Sequence, residues 1–229
     1  ALSYDLHGLS FREYLALTKQ LNHPAISLED ILKHHVEISH EICSKIKPIA
    51  LFKDYLKHGY YPFFKEDIKG FHQRLENTIN IILESDLPHS VKIDFGSIMK
   101  LKRLMGVVAN MVPFKPNILK LSREIDASRG SVLHYLNYLE SAHILNLLRT
   151  DKKNTGQLTK PDKIYLNNTS LMQALAPLDT NPGTVRETFF YNHMSTNHEV
   201  SFSHIGDFKI DDELVFEVGG KNKDTKHIK

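Results

Sequence analysis

The chain has 229 residues, of which 41% are hydrophobic and 24% charged, and its formal net charge is +2. This length suffices for one large domain or for two to three small ones, and the nearly balanced charge argues against a surface given over entirely to nucleic acid. Every apolar run is far shorter than the ~20 residues that cross a bilayer, and no signal peptide opens the sequence, so we expect no membrane partner and a cytoplasmic location.

Two capping signals mark the first predicted helices. Ser10 followed by Glu13 is a capping box for a short helix. Residues 27–30 open a long amphipathic helix, which Pro48 is predicted to end because proline cannot donate an amide hydrogen. Cys43 lies in that helix and is the only cysteine of the chain. A single cysteine excludes an internal disulfide and favours a reducing cytoplasm.

The next stretch is also predicted to be helical. A third helix over residues 49–58 is expected to end at Gly59, since glycine readily adopts the left-handed conformation of a C-cap. Residues 60–64 form an aromatic connector. A fourth helix follows over residues 66–84, and Pro88 lies close to its expected end.

A helix-turn-helix is predicted over residues 117–148. Apolar residues recur there at helical spacing on two successive segments, and Ser128 between them is a suitable N-cap. A helix starting at Asp94 precedes this pair, and strands at residues 144–149 and 163–166 follow it. Three helices and a two-stranded wing form a winged helix.

The last third mixes helices and strands. The predicted elements are a short helix over residues 171–175, a helix capped by Thr184, and strands over residues 200–205, 207–210 and 214–218. Asp211-Asp212 forms the turn between the last two strands. A helix followed by a strand meander indicates a small α+β part.

Four motifs, together with the winged helix, point to one family. They are Leu9-Ser10-Phe11-Arg12-Glu13-Tyr14-Leu15, Gly59-Tyr60-Tyr61-Pro62, Arg186-Glu187-Thr188-Phe189-Phe190 and Phe216-Glu217-Val218-Gly219-Gly220-Lys221. This set resembles prokaryotic AAA-superfamily ATPases, in which a P-loop ATPase core leads into a helical lid, a winged helix and a C-terminal domain similar to the PD-(D/E)XK nuclease fold. The resemblance implies that the sequence is a fragment that follows the ATPase core, with that core as its partner.

The resemblance also implies the domain organisation. We expect a lid-like helical subdomain over residues 1–93, a winged helix-turn-helix over residues 94–166, and a truncated PD-(D/E)XK-like α/β subdomain over residues 167–229. The expected fold class is therefore mostly α with small α+β parts. No GxxxxGK[ST] motif occurs in the chain, so the fragment should hold no cofactor, and ATP and magnesium belong to the implied parent protein.

A nuclease-like core needs carboxylates around a divalent metal and a lysine beside the attacking water. The matching positions are Glu187, Asp207, Glu217 and Lys221. Asp207 and Glu217 would be the ligands of a weakly held metal. The lysine of the family belongs two residues after Glu217, where Gly219 stands, and Lys221 would lie ~13 Å along an extended strand. The favoured alternative is a degenerate site, in which Glu187 and Glu217 pair with Arg186 or Lys221.

Basic residues accompany the helix-turn-helix. Lys120, Arg123 and Arg129 lie on its two helices, where they could contact DNA phosphates. Beyond Arg129 the second helix offers mostly uncharged polar side chains, and winged helices also pack between domains. Three functions therefore stay open: a non-catalytic, nucleic-acid-associated regulatory module of an ATPase, a metal-dependent nuclease, and a structural interaction scaffold. The first is our working hypothesis.

Overall fold

The structure is a computed structural model that describes residues 6–19, 21–91, 93–150, 158–176 and 181–219. Within these ranges the chain forms ten α-helices and five short strands, which confirms the predicted fold class, mostly α with small α+β parts. The chain divides into two compact units, Ala1–Lys69 and Gly70–Lys229. The division into three parts at residues 93 and 166 stays a prediction.

The regular elements of the first unit, among its described residues, are all helical. It contains α1 (Phe11–Lys19), α2 (Leu28–Lys45) and α3 (Pro48–Asp54), followed by a π-helical turn at Tyr55–Gly59 and a 3-10 turn at Pro62–Lys65. Both predicted N-terminal caps form: the Ser10 and Glu13 amides each donate to the other side chain, and the Ser27 hydroxyl accepts from the Asp30 amide. The long helix ends before Pro48, as predicted: α2 ends at Lys45, and Pro48 begins α3, where a missing amide hydrogen costs nothing.

The core of the first unit is mainly aromatic. Its buried hydrophobic residues are Tyr14, Leu15, Tyr55, Tyr60 and Phe64. The predicted left-handed C-cap at Gly59 is wrong, since no glycine of the described residues has a positive φ. A Cβ at Gly59 would lie 2.4 Å from Cδ2 of Tyr55 and 2.9 Å from Cδ2 of Tyr14. The position therefore requires glycine because two aromatic rings pack directly against the backbone.

The long amphipathic helix α2 forms as predicted, but none of its residues is buried within the described chain. Ile31, Leu32 and Val36 are 42, 47 and 56% exposed. Its backbone leaves helical geometry at His34, where φ is −128° and ψ is 22°. Cys43 is exposed on the same helix. The apolar face of α2 is thus open to solvent.

The second unit starts with α4 (Phe71–Ile81), a π-helical turn at Ile82–Asp86 and α5 (Leu87–Val91). The helix predicted over residues 66–84 therefore begins later, with Gly70 as its N-cap. Pro88 does not end the helical region, because it lies in the first turn of α5, where proline is tolerated. Phe71, Leu75 and Ile79 are buried on α4.

The predicted winged helix forms next. It consists of α6 (Phe95–Ala109), α7 (Ile118–Glu124), α8 (Arg129–Ser141), β1 (Leu145–Leu148) and β2 (Lys163–Leu166). The two strands pair antiparallel, with Leu145 opposite Leu166. Asp94 caps α6 and Ser128 caps α8, each by accepting from an amide three residues later. Because such caps depend only on near neighbours, the sequence pattern located both helix starts.

Two helices and a meander complete the unit. They are α9 (Thr169–Leu175), α10 (Pro182–Met194), β3 (Val200–Phe202), β4 (Phe208–Ile210) and β5 (Leu214–Phe216), and the sheet order is β3-β4-β5 with antiparallel neighbours. The helix α4 packs against α9. The cap predicted at Thr184 is wrong: the Asn181 side chain accepts from the Gly183 amide at 2.7 Å. The predicted turn at Asp211-Asp212 forms, with φ of 52° and 60°.

The wing and the meander share one core. The Phe202 amide on β3 donates to the Arg149 carbonyl, next to β1, at 2.8 Å. The ring of Tyr165 on β2 lies 5.7 Å from the Phe208 ring and 5.4 Å from the Tyr191 ring. Helix α10 and both small sheets are therefore packed together in one unit. None of the helices in the described ranges combines the length and the apolar character required to cross a membrane.

Candidate functional sites

The first candidate site is the surface of the helix-turn-helix. Buried residues hold its two helices together: Leu121, Ile125, Val132, Leu136 and Leu139. The chain turns between the helices at Asp126, whose φ is 50°, and the Ala127 amide closes the turn by donating to the Ser122 carbonyl at 2.9 Å. This short, closed turn fixes the start of α8 relative to α7.

The three predicted phosphate contacts lie on the outside of this motif. Lys120 and Arg123 are three residues apart on α7 and so share a face, and Arg129 is the first residue of α8. All three are exposed. Among the residues that the structure describes, no carboxylate forms an ion pair with any of them. Their charges are therefore available to an external anion.

Part of the polar side of α8 is used inside the protein. Arg149 donates to both carboxylate oxygens of Glu140, at 2.9 and 3.0 Å, and to Oδ1 of Asn137 at 3.0 Å. Lys115, before α7, places its ammonium 5.2 Å from the centre of the Phe202 ring, a cation–π contact. Asn137 and Lys115 are thus engaged by internal partners, which leaves the three basic residues as the charged part of the surface.

The second candidate site is the carboxylate group of α10 and the meander. Glu187 lies on α10 and accepts from two residues of β2: the Lys163 ammonium at 2.7 Å and the Tyr165 hydroxyl at 2.9 Å. The Lys163 and Glu187 side chains are 17 and 14% exposed. The cation that holds Glu187 is therefore Lys163, whereas the sequence suggested Arg186 or Lys221. Lys221 lies outside the described residues.

Asp207 and Glu217 lie just beyond the ends of two neighbouring strands. The register pairs Phe208 with Phe216, and the Asp207 amide donates to the Phe216 carbonyl at 2.9 Å, so the ladder ends at this point. An Asp207 carboxylate oxygen accepts from the Val218 amide at 2.8 Å. Asp207 therefore stabilises the hairpin at its open end.

Tyr165 is hydrogen-bonded to one of these carboxylates, that of Glu187. Its side chain is fully buried, and burial, followed by the negative charges of Glu187 and Asp207, raises its pKa well above the ordinary value. The phenol therefore stays protonated and donates to Glu187. Within the described ranges, no group of three or more His, Cys, Asp or Glu residues is arranged to hold a metal ion. The metal site at Asp207 and Glu217 stays a prediction.

Sequence reasoning missed Lys163 and Tyr165. They lie two residues apart on β2, so their side chains share one face of the strand. Two polar residues alternating with apolar ones on a buried strand indicate a polar partner on that face. The partner Glu187 is 24 residues away from Lys163 in the chain, and only the packing of α10 on the wing identifies it.

Helix-turn-helix, antiparallel wing and exposed basic residues define a protein of the winged-helix class. The chain belongs to the family described as Domain of unknown function (DUF8612), whose model matches residues 49–182, more than half of the chain. The match includes the whole winged helix and its three basic residues, and it ends before Glu187.

A relative in Methanocaldococcus jannaschii, titled uncharacterized protein MJ1637, is 24% identical to this chain over 149 residues. The alignment covers 63% of this chain and 32% of the relative, so the chain spans about a third of the length of the relative that it matches. No solved structure matches the chain.

Proposed function

We propose that this chain is the non-catalytic, nucleic-acid-associated part of a cytoplasmic AAA-superfamily ATPase, and that its winged helix contacts DNA phosphates. The observation that carries the proposal is the set of three exposed basic residues on the helix-turn-helix, Lys120, Arg123 and Arg129, for which the described chain supplies no carboxylate. The association with an ATPase comes from the four sequence motifs, including those around Glu187 and Glu217.

Binding by this surface should depend little on DNA sequence. Positive side chains at the start of α8 and along α7 match the phosphate backbone, which is the same for every sequence. Base reading needs side chains with free donors and acceptors at the middle of the recognition helix. There, Asn137 already accepts from Arg149 and donates to the Leu133 carbonyl.

The first prediction tests this surface with the double substitution Arg123→Ala and Arg129→Ala. Binding to a fluorescent DNA duplex is measured by anisotropy over a series of salt concentrations. The affinity should fall for all duplex sequences alike. The dependence of log K on log salt should flatten by about one unit for each lost phosphate contact.

The matched control removes two exposed positive charges from the first unit, with Arg12→Ala and Lys53→Ala. It changes the net charge by the same amount and should leave most of the affinity in place. Equal losses in both double variants would mean that only the overall charge matters. Undetectable binding at low salt would favour the structural scaffold instead.

A metal-dependent nuclease is the second candidate, because Glu187 accepts from Tyr165 next to the antiparallel meander at whose end Asp207 lies. Against it, the Lys163 ammonium is bound to Glu187 at 2.7 Å and already offsets that carboxylate charge. The second prediction is therefore that the chain does not nick plasmid DNA in magnesium or manganese. Nicking that disappears in a Glu217→Gln variant would show an active site and overturn this prediction.

A further inference from the structure

Helix α6 exposes two large apolar residues that its core does not use. The helix buries Leu101, Leu104 and Val108 completely. On the opposite side, Phe95 and Met99 are 76 and 53% exposed, and their spacing of four residues places them on one face, a turn apart. Exposed apolar residues that adjoin each other on a helix are typical of a surface that meets a partner.

This face borders an open groove. The groove has a volume of about 590 Å³ and is lined by residues of α6 between Gly96 and Arg103 and by Ile125 and Asp126 of the interhelical turn. We call it the α6 groove. Its volume lies in the range of small-molecule pockets, roughly 300–1,000 Å³, but such pockets enclose most of their ligand. A groove this open suits a segment of a macromolecule better.

Three cations line the α6 groove, and two of them are held in place. Lys100 donates to the backbone carbonyl of Asp126, and Lys102 pairs with Glu84 at 2.5 Å. Arg103 is exposed, and no residue in the described part of the chain accepts from its guanidinium. It therefore presents a free planar fork of donors, whose geometry matches a carboxylate.

We propose that the α6 groove docks an acidic amphipathic segment of a partner protein. Apolar side chains of the segment cover Phe95 and Met99, and a carboxylate forms paired hydrogen bonds with Arg103. The occupant follows from complementarity, because an apolar stripe that ends at a free guanidinium matches a helix with apolar residues and acids at helical spacing. The proposal does not depend on the DNA contact.

The same residues fit DNA less well. A phosphate backbone needs several free cations along its path, whereas Lys100 and Lys102 already have internal partners. The exposed ring of Phe95 would gain no apolar partner from a hydrated sugar-phosphate chain.

The test uses a short fluorescein-labelled peptide with leucine and glutamate at helical spacing, titrated with the full chain and followed by anisotropy. We expect saturable binding that Arg103→Glu weakens by about tenfold or more, because a charge-assisted pair is lost and a repulsion is added. Met99→Asp should weaken it as well. A peptide with lysine in place of glutamate, and one with serine in place of leucine, should not bind.

The control is Arg12→Glu, which reverses an exposed arginine in the first unit and should leave peptide binding unchanged. Thermal unfolding of each variant confirms that it is folded. The proposal is overturned if the acidic peptide shows no saturable binding, or if Arg12→Glu and Arg103→Glu weaken it equally. It is also overturned if Arg103→Glu reduces the affinity for a DNA duplex more than that for the peptide, since the groove would then belong to a nucleic-acid surface.

Discussion

Lys163 and Glu187 form a largely buried ion pair in the second unit. Each side chain is less than a fifth exposed, and their charged atoms are 2.7 Å apart. Removing an ion from water costs several kcal/mol unless a partner offsets it. The Tyr165 hydroxyl, kept protonated by burial, adds a second donor to the same carboxylate. These residues therefore constitute a buried polar link between the wing and α10.

Asp211 is a residue whose contribution to stability should depend on pH. Its carboxylate accepts from Nδ1 of His198 at 2.6 Å and from the Glu199 amide at 2.8 Å, and these two hydrogen bonds lower its pKa. A lowered folded-state pKa stabilises the protein above the unfolded-state value, about 3.9, and this stabilisation is lost as the pH falls through the folded-state pKa.

The third prediction follows from the lowered pKa of Asp211. Asp211→Asn tolerates the positive φ of this position but loses the charge, so it should lower the thermal midpoint at neutral pH. The difference from the wild type should shrink as the pH is lowered below about 4. Glu213→Gln, an exposed neighbour, is the control and should show no such trend. A difference that stays constant with pH would contradict the assigned role of the Asp211 charge.

At the scale of elements, Arg149 ties helix α8 to strand β1. Its guanidinium is held by Glu140 and Asn137 of α8 and also donates to the Leu147 carbonyl. The Arg149 side chain is 7% exposed and that of Glu140 32%. The arginine is therefore buried and Glu140 partly hydrated, and the two side chains join through one bidentate contact.

The fourth prediction is that Glu140→Ala lowers the free energy of unfolding by about 2 kcal/mol, which is less than the roughly 3–5 kcal/mol for breaking a fully buried pair because Glu140 is partly hydrated. Guanidinium unfolding of the purified chain measures the change. The exposed Glu124→Ala variant on α7 serves as the control and should change stability by less than about 0.5 kcal/mol. Similar decreases in the free energy of unfolding in both variants would show that the ion pair of Arg149 with Glu140 does not contribute to stability.

Local signals located most of the helices. The caps at Ser10, Ser27, Asp94 and Ser128 each join residues three positions apart, so they can be read directly from the chain. The errors have another origin. Gly59 is needed because the ring of Tyr14 on α1 and that of Tyr55 in its own turn pack against it. Asn181 lies closer than Thr184 to Pro182, and the proline sets the first turn of α10.

The candidate sites also include residues that can be found from local sequence signals and residues that only tertiary packing identifies. The exposed basic residues of the helix-turn-helix could be identified from sequence because exposure follows from the helical period. The partner of Glu187 could not, because Lys163 reaches it only through tertiary packing across two elements. The same is true of Asn137 on α8, whose side chain accepts from Arg149.

At the scale of the whole molecule, the chain divides at residue 69 into two compact units. Helix α4 belongs to the second of them, because Phe71, Leu75 and Ile79 are buried and the helix packs against α9. The boundary that the sequence suggested at residue 93 would separate α4 from this contact.

The fifth prediction compares the boundary at residue 69 with the one that the sequence suggested at residue 93. A fragment of residues 70–229 should fold cooperatively, whereas a fragment of residues 94–229, which lacks α4 and leaves α9 without that cover, should not. Thermal unfolding followed by circular dichroism distinguishes a cooperative transition from a gradual one. A cooperative transition in the shorter fragment would support the division at residue 93.

The link between wing and meander has a mechanical consequence. Two contacts hold these parts together. The Phe202 amide forms a backbone hydrogen bond from β3 to Arg149, next to β1, and the ion pair of Lys163 with Glu187 joins β2 to α10. Because two separate contacts join them, the wing and the elements packed on it cannot rotate about either contact alone. A force applied to the wing is therefore transmitted to α10, and the two parts move together.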